Sequence, residues 1–430
     1  MTPRPVRAAA AGAVAALLAV LGACTAPEPV PEVPAVRPEL SRTAEIPATV
    51  RLGVLIPPLE GVGSEFRPLV EGAQVAAYRF GLGGHRVELS VALDDGTADG
   101  ALRSMHALLA ERVAGVVLAS PGAHTVAAVA AADDAATAVV LPYGAAAGVA
   151  PGAWSVAPSP GAVAARVHDA LDGLAASTPY RVAAADRPDP GPGDAPDDDV
   201  PPGAPSRTGT PEDPAATAAE IVTLLDQRLV DAVVVDAPAV DQAALVVALQ
   251  GLLGTRQLPV VLTPEALTPV FGDTLAAAGT SGGRLVGIGT DTQDHTALTG
   301  SGEGSRTAAF LAAVRLAAGD PACRNVYDDD GCGAGVPRAD AASHDAALAL
   351  VRAVDRAGSD EPARVREALG GLQLGRADGL AGPDLDFRSA QALADADVVL
   401  LQASTSDAGV RPAAPDGSRA ALSWFAGATP

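Results

Sequence analysis

The sequence predicts an α/β fold of doubly wound parallel sheets, and three observations carry that reading. Runs at 50–56, 114–119 and 138–141 are short and apolar almost throughout, as in strands buried on both faces. Segments of about a dozen residues with helical spacing separate the runs, the alternation that builds a parallel sheet with helices on both sides. Once a leader and a proline-rich stretch are set aside, roughly 380 residues remain, enough for two domains.

Taken in order, Arg4 and Arg7 precede an apolar run at 8–20 that is short for a bilayer span but suits the core of a signal peptide. It closes in Leu21-Gly22-Ala23-Cys24, which resembles the lipobox of bacterial lipoproteins, where the cysteine is lipidated and becomes the new N-terminus. An ordinary secretory signal with a chance cysteine is the alternative. Residues 1–23 therefore read as signal peptide. Residues 24–48 hold many prolines and few large apolar groups, so they are expected to form an extended tether. The resemblance implies a protein on the extracytoplasmic face of the cell membrane, anchored through Cys24.

The stretch 50–95 reads as strand, loop, helix, turn and strand. Pro57, Pro58, Gly61 and Gly63 supply the first turn, and Leu69, Val70, Ala73, Val75, Ala76 and Ala77 recur at helical spacing. A second strand at 86–93 closes in Asp94 and Asp95. Ligands of β-α-β units sit at the carboxyl ends of the strands, so the loop at 57–66 is a candidate binding wall. Helices at 102–109 and 125–136 frame the strand at 114–119. The strand at 138–141 leads to Pro142-Tyr143-Gly144, and Trp154 begins a crossing.

A formal charge of -22 argues against nucleic acid as a partner, because phosphate binding needs a basic footprint. Three cysteines leave an even pair, Cys323 and Cys332, once Cys24 is assigned to lipid, and an oxidising compartment favours their disulfide over two free thiols.

The order "LGVLIPP…G…EGAQVAA", "VELSVALDDGTADGALRSMHALL" and "VAGVVLASPGAHTVAAVAAADDAATAVVLPYG" resembles the Leu/Ile/Val-binding family of extracellular solute receptors for ABC importers. "AASHDAALALVRAVDRAG" is similar to the family's late helix, and "LGRADGLAGPDLDFRSAQ" to its closing hairpin. The resemblance spans 49–403 with one gap. It implies two lobes joined by a hinge, the periplasmic binding protein-like I fold, with 49–157 and 302–365 in the first lobe and 158–301 and 366–405 in the second. A tail at 406–430 follows. The gap at 186–214 is rich in Pro and Asp and too poor in apolar groups to offset its ordering entropy, so it reads as a disordered insert that has cost the second lobe one β-α unit.

The resemblance implies capture of a small polar ligand, an amino acid or a relative of one, between lobes that close around it and present it to an ABC permease. A monomer without a cofactor is expected. The positions that correspond to the family's carboxylate-holding hydroxyls are Glu60 and Phe66 in the first loop, Ser120, His124 and Thr125 after the third strand, and Tyr143 and Gly144 after the fourth. Only the Ser120/Thr125 region keeps hydroxyls. Glu265 stands where a second-lobe acid often meets the ligand's ammonium. These departures admit another reading, a degenerate receptor fold that acts as a non-transport envelope sensor or interaction lipoprotein.

Enzymatic motifs fare poorly. Gly279-Thr280-Ser281-Gly282-Gly283 matches G-x-S-x-G, but a nucleophile elbow lies between a strand and a following helix, and here the order is reversed. Ser301-Gly302-Glu303-Gly304-Ser305 lacks the P-loop lysine, and the chain has no lysine at all. Asp328-Asp329-Asp330-Gly331 lacks the alternate spacing and distal glutamate of an EF-hand. The six histidines show no zinc-binding spacing, and only His124 is placed to face a cleft.

Overall fold

The computed structural model describes residues 36–44, 47–61, 63–144, 150–184, 206–208, 213–280 and 283–427. Residues 1–23, expected as a signal peptide, Cys24, most of the expected tether, nearly all of 186–214, and Ser281 lie outside them. No described helix is long and apolar enough to cross a membrane.

Strands β1 (Thr49–Ile56), β2 (Arg86–Leu93), β3 (Gly115–Leu118), β4 (Ala138–Leu141) and β5 (Ala153–Ser155) form the first sheet, all parallel, in the order β2-β1-β3-β4-β5. Helices α1 (Glu71–Leu82), α2 (Ala98–Ala110) and α3 (Val126–Asp134) connect them. The period-2 geometry of β1 sends Val50, Leu52, Val54 and Ile56 to the core that holds Ala73, Ala76 and Phe80 of α1, and Leu55 to the opposite core with Met105 and Leu108 of α2.

The second sheet repeats this plan. Helix α4 (Pro160–Gly173) leads into β6 (Pro179–Ala183), then β7 (Ser206–Thr208), α5 (Pro214–Asp226), β8 (Ala232–Asp236), α6 (Ala239–Leu253), β9 (Val260–Leu262), α7 (Pro269–Ala277) and β10 (Leu285–Thr290). The order β7-β6-β8-β9-β10 matches that of the first sheet, strand for strand. Caps legible in the sequence start several helices. Thr97, Ser159, Asp213 and Ser301 each accept the backbone N–H three residues on, and Pro160 and Pro214 occupy first-turn positions where no donor is needed.

The chain then returns to the first lobe through α8 (Gly302–Gly319), α9 (Ala341–Ala357) and α10 (Pro362–Leu369). A short hairpin, β11 (Gln373–Leu374) with β12 (Leu385–Asp386), precedes β13 (Val398–Ser404) and β14 (Ser423–Ala426). Gly72 on α1 sits against α9 so closely that a Cβ there would lie 2.2 Å from Ser343 Oγ. The segment after β5 and the segment before β13 cross side by side. Ser155 N donates to Ala390 O at 2.8 Å, and Ala392 N donates to Ser155 O at 2.8 Å.

Three expectations need correction. The second sheet is mixed, because β13 and β14 add antiparallel to β10 and to each other on an otherwise parallel sheet. The unit thought lost from the second lobe leaves a strand, β7, parallel to β6; three residues are too few to show a period. Residues 38–42, expected in the tether, pack on the first lobe. Leu40 is buried, Leu40 N donates to Arg79 O at 2.9 Å, and Arg42 Nε meets Asp355 Oδ1 at 2.6 Å in a buried ion pair.

Cys323 and Cys332 are disulfide-bonded, with Cα atoms 5.3 Å apart. The loop they close docks on α1: Val326 N donates to both oxygens of the buried Glu71, at 3.2 and 3.4 Å. Replacing both cysteines by serine is expected to lower stability by about 2.5 kcal/mol, the chain-entropy value for so short a loop. Urea unfolding with and without reductant measures it, and a loss that reductant does not reproduce in the natural chain would refute it.

Candidate functional site

The loops at the carboxyl ends of the two sheets form the candidate site. In the first lobe, Gly63 has φ 82° and a Cβ there would lie 2.8 Å from Pro121, so only glycine lets the first loop lie against the loop after β3. Arg67 steadies the same loop by donating to Pro57 O at 2.7 Å, with its guanidinium 4.6 Å from the centre of the Tyr327 ring.

Phe66 and Tyr143 come together. Their rings stack with centroids 4.6 Å apart and planes 17° from parallel, joining the loop after β1 to the loop after β4. The Tyr143 hydroxyl donates to Asp340 Oδ1 at 3.1 Å, and Asp340 caps α9 by accepting from Ser343 N at 3.0 Å and Ser343 Oγ at 2.6 Å. Burial pushes the Asp340 carboxyl up to about 6 against these hydrogen bonds. Burial, followed by the neighbouring Asp340, holds the Tyr143 phenol well above its ordinary value.

Ser120 and His124 also come together, on Asp94. Ser120 Oγ and His124 Nε2 each lie 2.5 Å from Asp94 Oδ2, and Gly96 N donates to Asp94 Oδ1 at 2.9 Å. Thr125 turns its hydroxyl onto Gly122 O at 2.8 Å. Both hydroxyls expected to meet a ligand carboxylate are thus engaged within the lobe. Gly144 O accepts from Ser155 Oγ at 2.5 Å, and Glu60 is exposed to solvent.

In the second lobe Glu265 is half-buried on a short helical turn, Pro264–Leu267, at the carboxyl end of β9. Beside it Gln242, wholly buried at the start of α6, donates to Ala237 O at 2.7 Å and Thr263 Oγ1 at 2.8 Å, tying the ends of β8 and β9 together. Helix α7 touches the helical turn Ser64–Val70 of the first lobe, and Arg338 Nη2 approaches Asp273 Oδ2 to 3.4 Å. The lobes therefore meet across the cleft. A surface hollow lined by Leu285, Val286, Gln402 and Ala403 lies at the amino end of β10, away from these loops.

The matching order of five parallel strands in each sheet and the crossings between the sheets identify the architecture. The fold is that of the type I periplasmic binding proteins. Solved structures similar to this chain include a leucine-binding protein from Thermotoga maritima, at 16% identity and a TM-score of 0.57, covering 84% of this chain and 96% of the other. A branched-chain amino acid transporter substrate-binding protein from Streptococcus pneumoniae, solved with isoleucine, gives 16% identity, a TM-score of 0.61 and coverage of 84% and 97%. A type 1 periplasmic binding protein from Bordetella pertussis gives 14%, 0.57, and 82% and 96%. No protein-family model and no curated protein sequence matches the chain.

The sequence reading missed Asp94 and Asp340 as organisers of the site. Asp340 carried a signal, since an Asp before Ala-Ala-Ser-His and an apolar helix is a helix-start pattern. Asp94 was visible only as a strand-end carboxylate. Among the described residues no group of three or more His, Cys, Asp or Glu side chains is arranged to hold a metal ion, the acidic run at 328–330 included.

Proposed function

We propose that this protein is an extracytoplasmic solute-binding lipoprotein, anchored through Cys24, that holds a small polar ligand between its lobes and hands it to an ABC permease. The observation that carries the reading is the facing of two sheets by their carboxyl ends, with Glu265 on one side and the Phe66–Tyr143 stack on the other. Glu265 would meet an ammonium. With Ser120 and Thr125 engaged, a carboxylate would be met by the backbone N–H groups of Ala123 and His124 rather than by hydroxyls. The stacked rings offer an apolar wall to a side chain. Similar proteins solved with isoleucine and leucine support an amino acid or a relative as the ligand class.

A thermal-shift screen across amino acids, their amides and short peptides tests this. A ligand at a hundred times its Kd stabilises by about 2.7 kcal/mol, which raises the melting temperature by a few degrees, and Glu265→Gln should abolish the shift for cationic amines. A flat response to the whole set would instead favour a non-transport envelope sensor, a reading that the engaged hydroxyls of Ser120 and Thr125 support.

A further inference from the structure

Strands β13 and β14 are antiparallel neighbours with Ser404 opposite Ser423, a register that a two-residue turn would close. The chain instead runs from 405 to 422 before it returns, and connections of that length are uncommon in compact domains unless they carry a function. The extra residues leave the second sheet and reach the first lobe. Arg315 on α8 donates to Val410 O at 2.6 Å, and Val410 packs against the apolar cluster that holds Val75, Phe310 and Val336. Arg411 donates through Nη1 to Ala339 O at 2.7 Å and Pro337 O at 3.2 Å. Its Nε meets Asp294 Oδ1 at 2.6 Å, on the crossing that follows β10. Leu422 then packs with the second-lobe core around Phe271 and Trp424. The loop is braced internally, since Arg419 Nη1 donates to Asp407 Oδ2 at 3.0 Å and Arg411 O at 3.1 Å.

We infer that residues 405–422 form an interlobe latch, a fourth tie between the lobes that must release at Val410 and Arg411 before the cleft opens. The three crossings are covalent and only flex. The latch has both ends on the second sheet and its middle held on the first lobe by non-covalent contacts, so it can let go without straining the chain. Contacts that exist in one arrangement and not the other shift the equilibrium toward the first, so the latch biases the protein toward the arrangement in which the lobes meet, without any ligand. Ala339, which Arg411 grips, adjoins Asp340, so release would also free the residue that positions Tyr143.

Small-angle X-ray scattering of the ligand-free full-length protein tests this. Arg411→Ala, and a variant in which Asn-Gly replaces 405–422, are each expected to increase the radius of gyration and maximum dimension over the natural chain. Arg86→Ala, which removes an exposed ion pair with Glu88 inside the first lobe, should leave the curve unchanged. Cooperative melting certifies that each variant is folded. A folded Arg411→Ala protein whose scattering superimposes on that of the natural chain overturns the inference, and it decides the matter alone if the shortened chain does not fold.

Discussion

Replacing Asp345 by alanine is expected to destabilise the protein by about 4 kcal/mol, because it strips a buried carboxylate from donors that have no other partner. Asp345 lies on α9, in the first lobe, and accepts from Ala381 N and Gly382 N, each at 2.8 Å, in the segment on its way back to the second. It also accepts from His344 Nδ1 at 2.7 Å. Arg79 can only donate, and its Nη1 lies 2.9 Å from His344 Nε2, so that nitrogen is the acceptor and the ring is neutral with its proton on Nδ1. Burial keeps the imidazole neutral by lowering its pKa, and the same burial draws the Arg79 guanidinium down to about 10. A charge thus connects through a neutral ring to a countercharge.

The loss in Asp345→Ala leaves two buried amides and an imidazole N–H short of an acceptor and takes a countercharge away from the buried Arg79 guanidinium, which keeps its bonds to Pro38 O, Gly379 O and His344 Nε2. Asp345→Asn keeps one acceptor oxygen and should lose about half as much. Urea unfolding followed by circular dichroism measures the difference. A loss below about 1.5 kcal/mol for the alanine variant would show that the crossing is held by other contacts.

Sequence patterning revealed the strands and helices whose period is long enough to show. The run at 50–56 was legible because burial on both faces leaves a local mark, whereas the late helix was legible only through its resemblance to the family's. The polar network was not. Glu71, Arg79 and Asp345 sit on helices where charged residues ordinarily face water, and nothing within a few residues announces that each is buried. Their partners are remote, as Arg42 and Asp355 illustrate, 313 positions apart. The site divided along the same line. Phe66 and Tyr143 were named as separate loop residues, yet their stacking depends on the register of β1 against β3 and of β3 against β4. Strand β14 escaped notice because of its four residues only Trp424 is fully buried.

Stability is expected to change with pH through Glu71, and Glu71→Gln should remove that dependence. Burial raises this carboxyl from its ordinary 4.5 to about 7, the Val326 N–H opposes the rise, and Asp329 adds to it. The folded protein therefore holds a proton that the unfolded chain has already released between these values. The stability this supplies is complete below pH 4.5, declines as pH rises and is gone above about 7, a span of about 3 kcal/mol for a shift of this size. Asp340, raised to about 6, acts in the same sense. His344 acts in the opposite one, since its lowered pKa gives stability above 6.5 that is lost as pH falls. Both are unchanged in Glu71→Gln, so the difference between the two proteins isolates Glu71. It should be near zero at pH 4.5 and favour the variant by about 3 kcal/mol at pH 8, where glutamine keeps an acceptor for Val326 N without a buried charge. Denaturant midpoints at four pH values between these limits measure it. Parallel curves would mean that Glu71 is ionised in the fold and that the loop closed by Cys323 and Cys332 docks on a charged carboxylate.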